Sequence, residues 1–258
     1  MTSHRSSQVI IGCLTVTSLP FATPLAGSEA VQLGVSHPIQ LIARVNEADS
    51  KREANIRKIV SIRRYTLHNK RWEKDAILRV RMISEAGIGK RFEILEWENA
   101  GGLQKHALEK ILESEVEASK RSIDIEDSAI TSANYDFISL GSQIWNGRES
   151  SLVQLVPKRN SKYLLEGKAW IDPIEHAIVR VEGRTAKSVS FWIGKPYIAQ
   201  DFEKVDNVWV SLRNRSVSDV KLLGKTELSI DFTDYQIVRG DAELAHTQKP
   251  KKPTDDLS

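Results

Sequence analysis

One cysteine stands among the 258 residues, and no two histidines lie at metal-ligand spacing. Cys13 alone forms neither an internal disulfide nor a Cys-rich zinc site. His37, His68, His106, His176 and His246 are far apart, and His4 falls in the first few residues. No metal or other cofactor is therefore called for. An excess of one charge is lacking too. Lys and Arg number 37 against 34 Asp and Glu, and a net +3 is too small to argue for nucleic acid.

The usual catalytic signatures are also missing. Gly224-Lys225-Thr226 has Asp219, in place of Gly, five positions earlier, and no helix is expected after it. Gly87-Ile88-Gly89 meets Phe92 where a dinucleotide fingerprint needs its third glycine. There is no Gly-x-Ser-x-Gly elbow. Asp172 and His176 bracket an Asp-Pro turn, and turn chemistry accounts for both. The chain reads as a protein without catalytic residues. Its 40% apolar and 28% charged residues are those of a globular protein.

The first residues have the layout of an export signal. Residues 1–8 are polar and contain Arg5; residues 9–26 carry no charge; small residues follow around Ala30. Pro20 and Pro24 interrupt the apolar stretch, which is too short and irregular for a stable membrane span. The expectation is a signal peptide over 1–30, cleaved near Ala30, and a periplasmic or secreted protein. Ile10-Ile11-Gly12-Cys13 resembles a bacterial lipobox, an alternative in which Cys13 carries a lipid anchor.

Beyond the leader the pattern is mostly strand. The spacing predicts helices over 38–60 and 102–121, the second with Leu103, Ala107, Leu108, Ile111, Leu112, Val116 and Ser119 on one face. Strand patterns occupy 61–68, 76–84 and 91–98, then 135–145, 151–157, 163–172, 177–184, 195–205, 208–216 and 225–238. Short separators such as Asn146-Gly147 and Asp206-Asn207 demand antiparallel neighbours. The fold class is α+β, mostly β: a single large curved antiparallel sheet, an unclosed barrel, over 31–239. The polar, Pro-rich residues 240–258 read as a disordered tail.

Two groups of side chains are candidates for binding. Trp170 shares a strand face with Glu166, Lys168 and Asp172, and Trp209 shares one with Ser211 and Arg213. With Phe191, Trp192 and Phe202 they are candidates for the wall of an apolar cavity between sheet and helices. The alternative is that a helix covers that face and these rings fill a core. The second group is basic: Arg63, Arg64, Arg79 and Arg81 make a candidate patch for anionic headgroups or a partner protein. The alternative there is an ordinary solvated face with Glu neighbours.

Two segments carry a family resemblance: Tyr163-Leu164-Leu165-Glu166-Gly167-Lys168-Ala169-Trp170-Ile171-Asp172-Pro173, then Ile178-Val179-Arg180-Val181-Glu182-Gly183. With Ser190-Phe191-Trp192, Asn214-Arg215-Ser216 and Ile230–Tyr235, they resemble bacterial outer-membrane lipoprotein-sorting proteins, in a secreted branch of the LolA/LolB-like superfamily. The resemblance implies helices packed in the concave side of the unclosed sheet, and acyl chains of lipids or lipoproteins as partners. It implies no enzyme. Related folds also serve as envelope-stress sensors that regulate a membrane protein, which is the second functional expectation.

Overall fold

The computed structural model describes residues 37–120 and 127–240. The expected signal peptide, Cys13 and the expected tail beyond Gly240 lie outside them.

Helix α1 (Pro38–Glu53) begins with proline in its first turn, where the missing N–H forfeits no helical bond. It ends earlier than its apolar spacing predicts. Beyond Ala54 and Asn55 the chain becomes strand β1 (Ile56–Asn69), because Ile56, Ile59 and Val60 are β-branched and pair with Arg239, Ile237 and Gln236. Strands β2 (Ala76–Glu85) and β3 (Gly89–Glu98) follow, then helix α2 (Gly102–Lys120). The meander continues through β4 (Tyr135–Trp145), β5 (Arg148–Pro157), β6 (Leu165–Asp172) and β7 (Ala177–Thr185). It closes with β8 (Tyr197–Val205), β9 (Val208–Val220) and β10 (Gly224–Arg239).

All ten strands form one antiparallel sheet in the order β3-β2-β1-β10-β9-β8-β7-β6-β5-β4. Strands β3 and β4 end the order without pairing to each other, so the barrel is unclosed, as expected. Only one neighbour relation is distant in sequence: β1 beside β10. Two hairpins turn through pairs of left-handed residues, Asn146-Gly147 (φ 48° and 76°) and Asp206-Asn207 (φ 46° and 64°). Turns of that hand match the twist of the strands they join.

The helices divide the sheet between them. Helix α1 packs on β4, β7 and β9, and α2 packs on β2 and β3. Leu41, Ile42 and Val45 of α1 share a buried cluster with Leu155, Ala169, Ile171, Val181 and Ile198. Leu108 and Leu112 of α2 share a second cluster with Tyr65, Leu78, Val80, Ile230 and Phe232. No described helix is long and apolar enough to cross a membrane.

Candidate functional site

The two clusters are joined by one row of directly paired residues running across nine strands. It reads Val153, Ala169, Val181, Gln200, Asn214, Ile230, Tyr65, Leu78 and Trp97. The row is apolar at both ends and polar in the middle. Gln200, Ser211, Asn214 and Ser216 are all buried there, and Gln200 Nε2 donates to Ser211 Oγ at 2.8 Å. Asn214 is only 3% exposed, and among the described residues its Nδ2 has no hydrogen-bond partner. A buried donor left unmatched costs about 1–3 kcal/mol, so this position favours any occupant that brings an acceptor.

Beside this seam, Arg63 of β1 reaches α2. Its Nη1 donates to Glu115 Oε2 at 2.8 Å, and the Tyr65 hydroxyl donates to the other carboxylate oxygen at 2.9 Å. The guanidinium lies between the Phe92 and Phe232 rings, 5.5 and 4.9 Å from their centroids. Burial pushes the Tyr65 phenol far above its ordinary range, so it stays a donor. Arg63 therefore leaves the expected basic patch: strand alternation turns it inward, while Arg64 points to the other face.

Helix α1 is fixed at its C-terminal end. The Arg52 guanidinium donates to the carbonyls of Glu175 and His176, and pairs with Asp49 at 3.0 Å. Burial raises the Asp49 carboxyl to about 6, against the opposing pull of Arg52. Burial, aided by Asp49, raises Glu53 to about 8. The turn below belongs to Asp172, whose Oδ1 accepts from the N–H groups of Ile174 and Glu175. Asp172 thus acts as a turn residue, the role its Asp-Pro sequence predicts.

The opposite face of the sheet carries a second row: Leu152, Trp170, Arg180, Asp201, Arg213, Asp231, Arg64, Arg79 and Glu96. Arg180 pairs with Asp201 at 2.5 Å and with Glu182 at 2.7 Å, and Arg213 pairs with Asp231 at 2.6 Å. Arg79 and Arg81 are bonded to Glu96 and Glu93 across the neighbouring strand. The Glu partners offset Arg79 and Arg81 in what the sequence presents as a basic stretch, while Arg64 lies opposite Arg79. Both acids come from β3, which pairs with β2 through a bulge between Arg79 and Val80, so that Arg79 meets Glu96 and Arg81 meets Glu93.

Trp170 lies on this face, because Ala169 and Ile171 on either side of it pack with α1. It meets Trp209, Ala177 and Val179 in a separate cluster, with Trp145, Leu152 and Phe202 packed against it. The Trp170 indole donates to Gln143 Oε1 at 2.9 Å. Phe202 touches both this cluster and the one beneath α1. Phe191 and Trp192 stand apart, exposed in the connection from β7 to β8. The five candidate rings thus divide into three at one cluster and two at a surface turn.

Several residues of these clusters have weak signatures in the sequence. Glu115 follows Leu108 and Leu112 at helical spacing, so a carboxylate on the apolar face of α2 is its one signal. Trp145 offers no pattern to read: its ring lies 5.7 Å from that of Trp170 and 4.4 Å from the Arg180 guanidinium only through sheet pairing. Among the described residues, no group of three His, Cys, Asp or Glu side chains is arranged to hold a metal ion.

No protein-family model matches the chain. No curated protein matches it either. Among solved structures it is similar to a domain assigned to the outer membrane lipoprotein-sorting proteins from Vibrio parahaemolyticus, at 12% identity and TM-score 0.46, covering 79% of this chain and 93% of that one. A DUF1329 family protein from Desulfovibrio piger is similar at 12% identity and TM-score 0.45, over 80% and 95% of the two chains. A LolA superfamily protein from Nitrosomonas europaea gives 12% and 0.42, over 81% and 97%.

Proposed function

We propose that the protein is an exported, non-catalytic binding protein of the cell envelope that holds an acyl chain of a lipid or lipoprotein between its sheet and its helices. One observation carries this reading. Two helices cover two separate apolar clusters at opposite ends of a single unclosed sheet. Either helix can therefore lift without dismantling the core beneath the other. Helix α2 is the lid. Beneath it lie Tyr65, Leu78, Val80, Ile230 and Phe232, an apolar wall that an acyl chain would line at about 0.8 kcal/mol per buried CH2 group. The seam at Gln200 and Asn214 supports a polar contact for the chain's ester or amide end. The signal layout of residues 1–30 supports the compartment.

Native mass spectrometry of protein purified from its host envelope tests the reading, together with displacement of a fluorescent fatty acid. Lipid-sized adducts and saturable displacement are expected. Repeated absence of both overturns the proposal.

A further inference from the structure

Phe191 and Trp192 are 74% and 55% exposed at the tip of the β7–β8 connection. The tip is a built turn. The Ser190 N–H donates to the Ile193 carbonyl and the Val189 N–H to the Gly194 carbonyl, each at 3.1 Å. Ser190 Oγ accepts from the N–H groups of Trp192 and Ile193. The β9–β10 turn braces it from the side, with the Lys221 N–H donating to the Trp192 carbonyl at 2.9 Å. The next residue of that turn, Leu222, is 79% exposed. The two rings sit edge to face, 5.3 Å apart. Large apolar groups held outward by their own backbone hydrogen bonds cannot fold back to hide from water, which marks them as contact residues.

The charge around them is predominantly positive. A groove of about 930 Å³ beside the tip is lined by Lys162, Lys187 and Lys221, with Asp219 its one acid. Lys221 Nζ lies 3.2 Å from the centre of the Phe191 ring. Among the described residues these three lysines enter no ion pair, unlike Arg79 and Arg213 of the outer face. Projecting aromatic and leucine side chains ringed by unpaired lysines match the interface of an anionic membrane, where apolar tips enter the acyl boundary and ammonium groups meet phosphates.

We infer that this corner docks the protein on an anionic lipid bilayer: Phe191, Trp192 and Leu222 insert, while Lys162, Lys187 and Lys221 lie against headgroup phosphates. The surface is separate from the wall beneath α2, so the inference stands whether or not that wall takes an acyl chain.

Co-sedimentation of the full chain with phosphatidylglycerol–phosphatidylethanolamine vesicles, against phosphatidylcholine vesicles, tests it. Binding to the anionic vesicles that weakens with salt is expected. The F191S/W192S/L222S variant should lose at least about tenfold in partitioning, from the lost apolar insertion. The K162Q/K187Q/K221Q variant should lose the preference for anionic vesicles, at least about tenfold. Both sets change exposed side chains, so the circular dichroism spectrum and fatty-acid displacement without vesicles should match those of the parent. Failure to sediment with anionic vesicles, or sedimentation unaltered by both variants, overturns the inference. Vesicle binding with neither lipid adducts nor fatty-acid displacement would overturn the acyl-chain proposal and leave this one standing.

Discussion

Arg63 and Glu115 form a 2.8 Å ion pair whose side chains are 3% and 0% exposed, joining strand β1 to helix α2. A charge pair this deep repays its desolvation only while both members are present. Replacing Arg63 by Met leaves the Glu115 carboxylate buried without its cation. Urea unfolding should then show a loss of about 3–5 kcal/mol, and R63M/E115L should recover most of it. If R63M unfolds at the same urea concentration as the parent, the pair is not what fixes α2.

Gly167 and Gly183 face each other across β6 and β7. A Cβ on Gly167 would overlap the Glu182 carbonyl oxygen, and one on Gly183 would lie 2.5 Å from that of Glu166. These obstacles are backbone, which cannot rotate away as a side chain can. G167A should cost more than about 2 kcal/mol by forcing the strands apart. At Gly102 a Cβ would meet nothing within 4 Å, so G102A should leave stability unchanged or raise it slightly, by less than about 1 kcal/mol. Thermal melts of the two variants side by side check the contrast.

The outer-face cluster should prove structural. Trp170 is 6% exposed and packs with Trp209. Truncating it to Ala should cost about 3–5 kcal/mol. Arg180 sits 4.4 Å from the Trp145 ring centre while bonding Asp201 and Glu182. R180A should cost about 2–3 kcal/mol by removing a stacked cation and two charged hydrogen bonds together. Neither variant should alter vesicle binding, which a sedimentation assay at a temperature below both melting transitions would check.

Acid and base should act on α1 through Glu53. Its carboxyl titrates at about 8 in the folded protein, against an ordinary 4.5, because burial and the nearby Asp49 disfavour the charge. The folded state therefore binds more protons than the unfolded state between those values. Stability should fall as pH rises through that window, and the contribution is fully lost above about 8. E53Q carries no titrating proton and should flatten the decline. Melting temperatures of parent and variant between pH 5 and 8.5 measure the difference.

Most elements were legible because their physics is local. The alternation of Val208, Val210 and Leu212, or of Leu228, Ile230 and Phe232, reports a strand whatever its neighbours do. Asn146-Gly147 and Asp206-Asn207 turn where their left-handed preference says they should. The end of α1 was misplaced because Ile56 and Ile59 fit a helical period as well as a strand. Pairing with Arg239 and Ile237, at the far end of the sequence, decided between the two. The candidate sites were less legible for the same reason. Arg63 looks basic until the sheet sets Glu115 over it. Arg79 and Arg81 look unpaired until β3 brings Glu96 and Glu93 alongside.

Strand β1 pairs along most of its length with β10, from Ile56 against Arg239 to Asn69 against Thr226. Among the described strands, the first to be made is thus completed by the last. During synthesis one edge of β1 has nothing to bond to until nearly all of the remaining chain has been produced. Such a pairing is slow to form and all-or-none once formed. An incomplete chain can build the hairpins β1–β2–β3 and β4 through β9, but it cannot join them. A nascent molecule therefore keeps this edge of β1 open until β10 has been made.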